Sequence, residues 1–134
     1  MTGDGDGDRP VRLLLDRSAL LAYVAGSVHV AEPLHEVIED RNRFGVTACV
    51  AAEALAVIDD PKDRAALHRL LALDACVVLP TEGSTWQELS YWRAYTGRAD
   101  LASTVMASFA YDASILTGED RYGHDELPVI YLPE

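Results

Sequence analysis

The chain has 134 residues, 49% of them hydrophobic and 25% charged, the size and balance of one globular domain. No apolar run reaches the ~18 residues a membrane span needs, and the polar, acidic residues 1–10 do not have the form of a secretory signal. Twenty-two acidic residues against 11 basic ones give a net charge of −11, a field that opposes nucleic-acid binding through general attraction.

Residues 1–10 alternate Gly and Asp after Met-Thr and cannot bury apolar surface, so they read as a disordered acidic leader before a single domain over 11–134. Residues 11–15 (VRLLL) are too short for a helix and suit a strand buried on both faces. The run stops at Asp16, and Ser18 offers a cap for a helix through Ala19, Leu20, Leu21, Ala22 and Tyr23, ended by Gly26. Leu34, Val37, Ile38 and Arg41 carry helical spacing through 30–42. A second strand is expected at 44–48 and a helix at 51–58. Asp59-Asp60-Pro61 then turns into a helix whose buried face is Leu67, Leu70 and Leu71, with Pro61 at its first position.

The third strand is expected at 75–79 (ACVVL), stopped by Pro80. Ser84-Thr85-Trp86-Gln87 has the form of a capping box, opening a helix that presents Trp86, Leu89 and Trp92 and ends at Gly97. Asp100 is placed to cap the next helix, in which Leu101, Val105 and Phe109 recur at helical spacing. Strands at 114–117 and 129–132 complete the pattern. Short apolar strands separated by helices require parallel pairing and right-handed crossovers, hence a three-layer α/β/α sandwich on a sheet of about five strands.

In such sheets, sites form at the carboxyl ends of the strands. Asp16 ends the first strand there, Glu53 lies in the early turns of the helix after the second, and Asp100 opens the helix before the fourth. Glu119 and Asp120 follow the fourth strand across Gly118. Carboxylates gathered at one edge repel unless a cation neutralises them, and Mg²⁺ or Mn²⁺ prefer such oxygen donors. Each acid also has a plainer role open to it, as a helix cap, a solvated helix residue or a loop acid.

Other chemistries find less support. Cys49 and Cys76 stand in apolar surroundings with no second Cys or His at ligand spacing, as expected of buried structural thiols in a reducing, cytoplasmic setting rather than of zinc or a disulfide framework. His29, His35, His68 and His124 show no paired spacing. Neither Ser18 nor Cys49 has a His nearby in sequence or a sharp Gly-flanked turn to present it as a nucleophile. A phosphate-accepting receiver domain fails because the third strand ends in Leu79-Pro80 and Lys62 falls in a helix. Tyr91, Trp92 and Tyr95 form a stripe suited to core, to a dimer interface or to base stacking.

Three blocks, VRLLLDRSALLAYV, VTACVAAEALAVI and ASTVMASFAYDASILTGED, together resemble the PIN-domain family, in order and over roughly residues 11–134. The resemblance implies a metal-dependent endoribonuclease, best known in bacteria as the VapC-type toxin of a toxin–antitoxin pair, usually homodimeric and held by an antitoxin protein. It matches Asp16 to the family's first acid, Glu53 to the second and the pair Glu119–Asp120 to the fourth. Ser103 falls where the third acid is expected, with Asp100 one helical turn before it. The implied site is therefore catalytic Asp16, Glu53, Asp100 and Asp120, with Glu119 joining them around Mg²⁺ or Mn²⁺. Arg17, Ser18, Ser103 and Thr117 are the implied substrate contacts. Arg17, Arg43, Arg98 and Arg121 are the arginines placed to offset the acidic body toward RNA, or to pair with the carboxylates in place of metal. The competing reading is a PIN-fold protein that has lost catalysis and acts by binding a protein or RNA partner.

Overall fold

The computed structural model describes residues 9–122 and 127–133, and the expected leader lies outside them up to position 8. Strand β1 (Val11–Leu15) leads into α1 (Arg17–Val24) and α2 (Val28–Glu39). Strand β2 (Arg43–Thr47) is followed by α3 (Ala48–Val57) and α4 (Pro61–Leu71), then by β3 (Cys76–Leu79). After a 3₁₀ turn at Gly83–Thr85 come α5 (Trp86–Thr96) and α6 (Ala99–Tyr111), then β4 (Ser114–Thr117) and β5 (Val129–Tyr131). The strands form one parallel sheet in the order β3-β2-β1-β4-β5 with helices on both faces, the expected α/β/α sandwich.

Alternation along β1 divides the core in two. Leu13 and Leu15 face α1 to α4 and pack with Leu20, Val30, Phe44, Val50 and Leu67. Leu14 faces the other layer, and a register irregularity between Val11 and Leu13 brings Val11 to the same side, where Leu101 and Val105 of α6 close over Ile115 and Tyr122. Burial on both faces is why this strand reads as a continuous apolar run. At its centre Gly45 of β2 lies so close to its neighbours that an added Cβ would meet Leu79 Cδ1 at 2.9 Å and Leu14 Cδ2 at 3.0 Å.

Several helix starts differ from expectation for local reasons. Asp16, not Ser18, caps α1, its carboxylate accepting from the Ala19 N–H, while Ser18 lies inside the first turn. The proposed capping box does not form: Thr85 turns its hydroxyl back to the Glu82 carbonyl at 2.6 Å, and no side chain caps α5. Asp100 is not a cap either. It sits in the first turn of α6 behind Arg98, which occupies the cap position. Thr47 caps α3 three residues before the expected start, and Asp60 caps α4 with Pro61 at its first position as expected. Among the described residues no helix is long and apolar enough to cross a membrane.

Candidate active site

The register of the central strands builds the floor. Parallel pairing sets Leu14 beside Ile115 and Leu15 beside Leu116, so the next residues, Asp16 and Thr117, leave the sheet side by side at its carboxyl edge. Asp16 is fully buried. Its Oδ1 accepts from the Ser18 hydroxyl at 2.6 Å and the Ala19 N–H at 3.0 Å. Its Oδ2 accepts from the Thr117 hydroxyl and from the Tyr122 phenol at 2.8 Å. Four donors on two oxygens fill the carboxylate's accepting capacity. The hydroxyls in turn hold the loop after β4, since Ser18 Oγ accepts the Gly118 N–H and Thr117 Oγ1 accepts the Glu119 N–H, each at 2.8 Å. Burial, then the charge of Asp16 and its hydrogen bond, push the Tyr122 phenol well above its ordinary range, with smaller pushes from Asp100 and Glu119. All three carboxylates thus lie within electrostatic reach of one hydroxyl.

The second part is a clamp. Gly97 ends α5 at φ +91°, a left-handed turn natural to glycine, and the chain enters α6 one residue later through an extended Arg98. The Arg98 side chain folds over the first turn of α6. Nε and Nη2 form a fork to Asp100 at 3.0 and 2.9 Å, and Nη2 also reaches Glu119 Oε2 at 2.9 Å. Burial works against ionisation of Asp100, but the Arg98 hydrogen bonds and charge, with the charge of Arg17, outweigh it and hold the carboxyl below its ordinary value. The same bonds raise Arg98 above its own range, although burial opposes this.

The remaining candidates are distributed around this core. Glu53 is half exposed on α3 and pairs with Arg17 at 3.3 Å, and its field reaches Cys49 together with that of Asp100. Glu119, not Asp120, meets Arg98, and Asp120 is exposed. Ser103 is buried one turn into α6, sharing a hydrogen bond with Thr47 at 2.8 Å and donating to the Asp100 carbonyl at 2.9 Å. The carboxylate that joins Glu119 is therefore that of Asp100, one turn earlier. Arg43 starts β2 and bonds the Arg9 carbonyl, at the opposite end of the strand from this edge. A cleft of about 430 Å³ adjoins Ser103 and Thr47 and runs between Pro80, Phe109 and Tyr111, but none of the four clustered or paired acids lines it. Reading the sequence missed Tyr122, an aromatic in a polar loop whose burial has no local signature. It also missed Thr47 as a partner of α6.

No protein-family model matches the chain, and no curated protein matches it. Its coordinates superpose on a chain of the structure of VapBC2 from Rickettsia felis bound to a DNA fragment from their promoter, with a TM-score of 0.73. The fold is PIN-like. The superposition covers 92% of this chain and 100% of that one at 12% sequence identity, a likeness of backbone architecture.

For a divalent cation, the donor set can be tested directly. Among the described residues no three of His, Cys, Asp and Glu are grouped to hold one ion as they stand. Asp100 Oδ2 and Glu119 Oε2, however, converge on a single guanidinium nitrogen, which marks a place where two hard oxygen donors already share a positive charge. Mg²⁺ is commonly held by one or two carboxylates with waters and substrate oxygens completing its shell, so this pair fits it. Asp16 lies behind them with its oxygens engaged.

Proposed function

We propose that this PIN-fold chain is a metal-dependent endoribonuclease, the toxin of a toxin–antitoxin pair, with Asp100 and Glu119 as the acids that hold Mg²⁺ or Mn²⁺. The observation supporting it is the meeting of these two acids, from α6 and the loop after β4, on one cationic nitrogen at the strand edge built by Asp16. When bound there, the ion would lower the pKa of a water and stabilise charge on the phosphate under attack. The chain's own residues orient the site. Asp16, held by Ser18, Ala19, Thr117 and Tyr122, fixes the loop that carries Glu119 and adds negative charge behind the pair. Arg17 and Arg121 offer phosphate contacts near that edge, which an acidic body needs to hold RNA at all. An antitoxin partner is in keeping with the VapBC2 likeness, and a homodimer and a cytoplasmic setting complete the reading.

A second reading, binding without catalysis, is favoured by one observation: Asp16, Glu53, Asp100 and Glu119 are each already engaged by donors of this chain. Incubating purified protein with a mixed-sequence RNA in Mn²⁺, beside Asp100→Asn and an EDTA control, separates the two. Cleavage lost in both controls supports the nuclease. Cleavage that persists in Asp100→Asn overturns the site assigned to Asp100 and Glu119, and none at any Mn²⁺ concentration overturns the nuclease in favour of binding alone.

A further inference from the structure

We propose that Arg98 is a built-in competitor for the divalent cation, neutralising Asp100 and Glu119 until an ion displaces it. This rests on the cation site of the preceding section and concerns what that site must give up to be filled. Three hydrogen bonds tie the guanidinium to the two acids, at 3.0, 2.9 and 2.9 Å. The Asp100 side chain is 3% exposed and that of Glu119 19%, so without a counter-charge the two would face each other with little water to screen them. Arg98 is more open, at 26%, and is attached next to Gly97, whose left-handed turn sets the path of the backbone. Its exposed side is where the guanidinium already meets solvent.

An arginine stays charged throughout the physiological range. Within that range the competitor therefore does not switch off with pH, and the ion has to win by affinity. Two carboxylates released from a bidentate, partly buried arginine bind an ion more tightly than the same two carboxylates engaged by it. Removing the fork should strengthen ion binding about 10- to 100-fold, the range expected for losing a hydrogen bond between charged groups. In the absence of ions the same change leaves two acids uncompensated.

Calorimetric titration of the full chain with MnCl₂ tests this, with wild type, Arg98→Gln, Arg98→Lys and Asp100→Asn compared, and thermal melting followed in EDTA and in Mn²⁺. The expected result is a Kd for Arg98→Gln at least tenfold below that of wild type. Its melting temperature should also be lower in EDTA and recover more on adding Mn²⁺ than the wild type's does. Arg98→Lys keeps the charge without the fork and should fall between the two, and it carries the test if Arg98→Gln does not fold. Equal Kd values for wild type and the Arg98 variants, with binding lost in Asp100→Asn, overturn the competitor while leaving the cation site standing. Absence of binding by all four proteins at millimolar Mn²⁺ overturns both.

Discussion

Replacing Asp16 by Asn separates two roles that a buried carboxylate at a strand edge can have. The side chain keeps its shape, but one oxygen that accepts two hydrogen bonds becomes an amide nitrogen that accepts none. If the nitrogen takes the Oδ2 side, it faces the Thr117 and Tyr122 hydroxyls. If it takes the Oδ1 side, it faces the Ser18 hydroxyl and the Ala19 N–H, and the backbone group cannot turn away. The first arrangement is therefore favoured, with both hydroxyls rotating to accept from the amide. All four hydrogen bonds lose their charged acceptor and two of them reverse direction, at a cost of about 2–3 kcal/mol. For a domain of this length that lowers the melting temperature by roughly 8–12 °C. The measurement is thermal unfolding by circular dichroism in EDTA, so that no ion contributes. A carboxylate kept only for an ion, and otherwise repelled by Asp100 and Glu119, would give the opposite sign. An unchanged or raised melting temperature for Asp16→Asn would refute the hydrogen-bond argument.

Two further outcomes follow from the same geometry. Ser103→Asp places a carboxylate, which cannot donate, against the Asp100 carbonyl in a 5% exposed position; it should destabilise by ~3 kcal/mol or more, read as an earlier urea midpoint. Acid should remove the Arg98 clamp: because Asp100 is held below its ordinary value, its contribution is complete above the unfolded value near ~3.9 and is lost as pH falls through the folded one. The stability gap between wild type and Asp100→Asn, followed by denaturant melts, should thus be constant from neutral pH down to about 4 and shrink below it.

Much of the architecture was legible because β1, β2 and β4 are buried on both faces, α4 on one and α6 nearly all round, so their apolar spacing is set by the core they share. Strand β4 matches its expected span of 114–117, and the other boundaries move by three residues or fewer where a cap such as Thr47 starts a helix early. Asp16 was legible as a strand-end acid for the same topological reason. What reading by local spacing could not settle was which of two neighbours points inward. Glu119 and Asp120 are adjacent in a loop, and only the Arg98 fork distinguishes them. Asp100 and Ser103 are one turn apart on α6, and both are buried, but the Asp100 carboxylate reaches Arg98 while the Ser103 hydroxyl reaches Thr47. The partner that singles out Glu119 stands 21 positions away and the one that engages Ser103 stands 56 away. Tyr122 is the extreme case, bonded to a residue 106 positions earlier.

The central place of β1 bears on how the protein is made. This strand is the first of the five to be made, yet its partner β4 is drawn from residues 114–117, so one side of a Leu-rich strand has no neighbour until those residues follow. During that interval β2 can add to one edge and β3 beyond it, while the other edge presents bare backbone amides and carbonyls to any passing strand. The buried acid shares this timing, because Thr117 and Tyr122 arrive a hundred residues after Asp16. A ribosome-bound fragment stopped before β4 should need chaperone cover to stay dispersed, and one extended past β4 should acquire the protected edge.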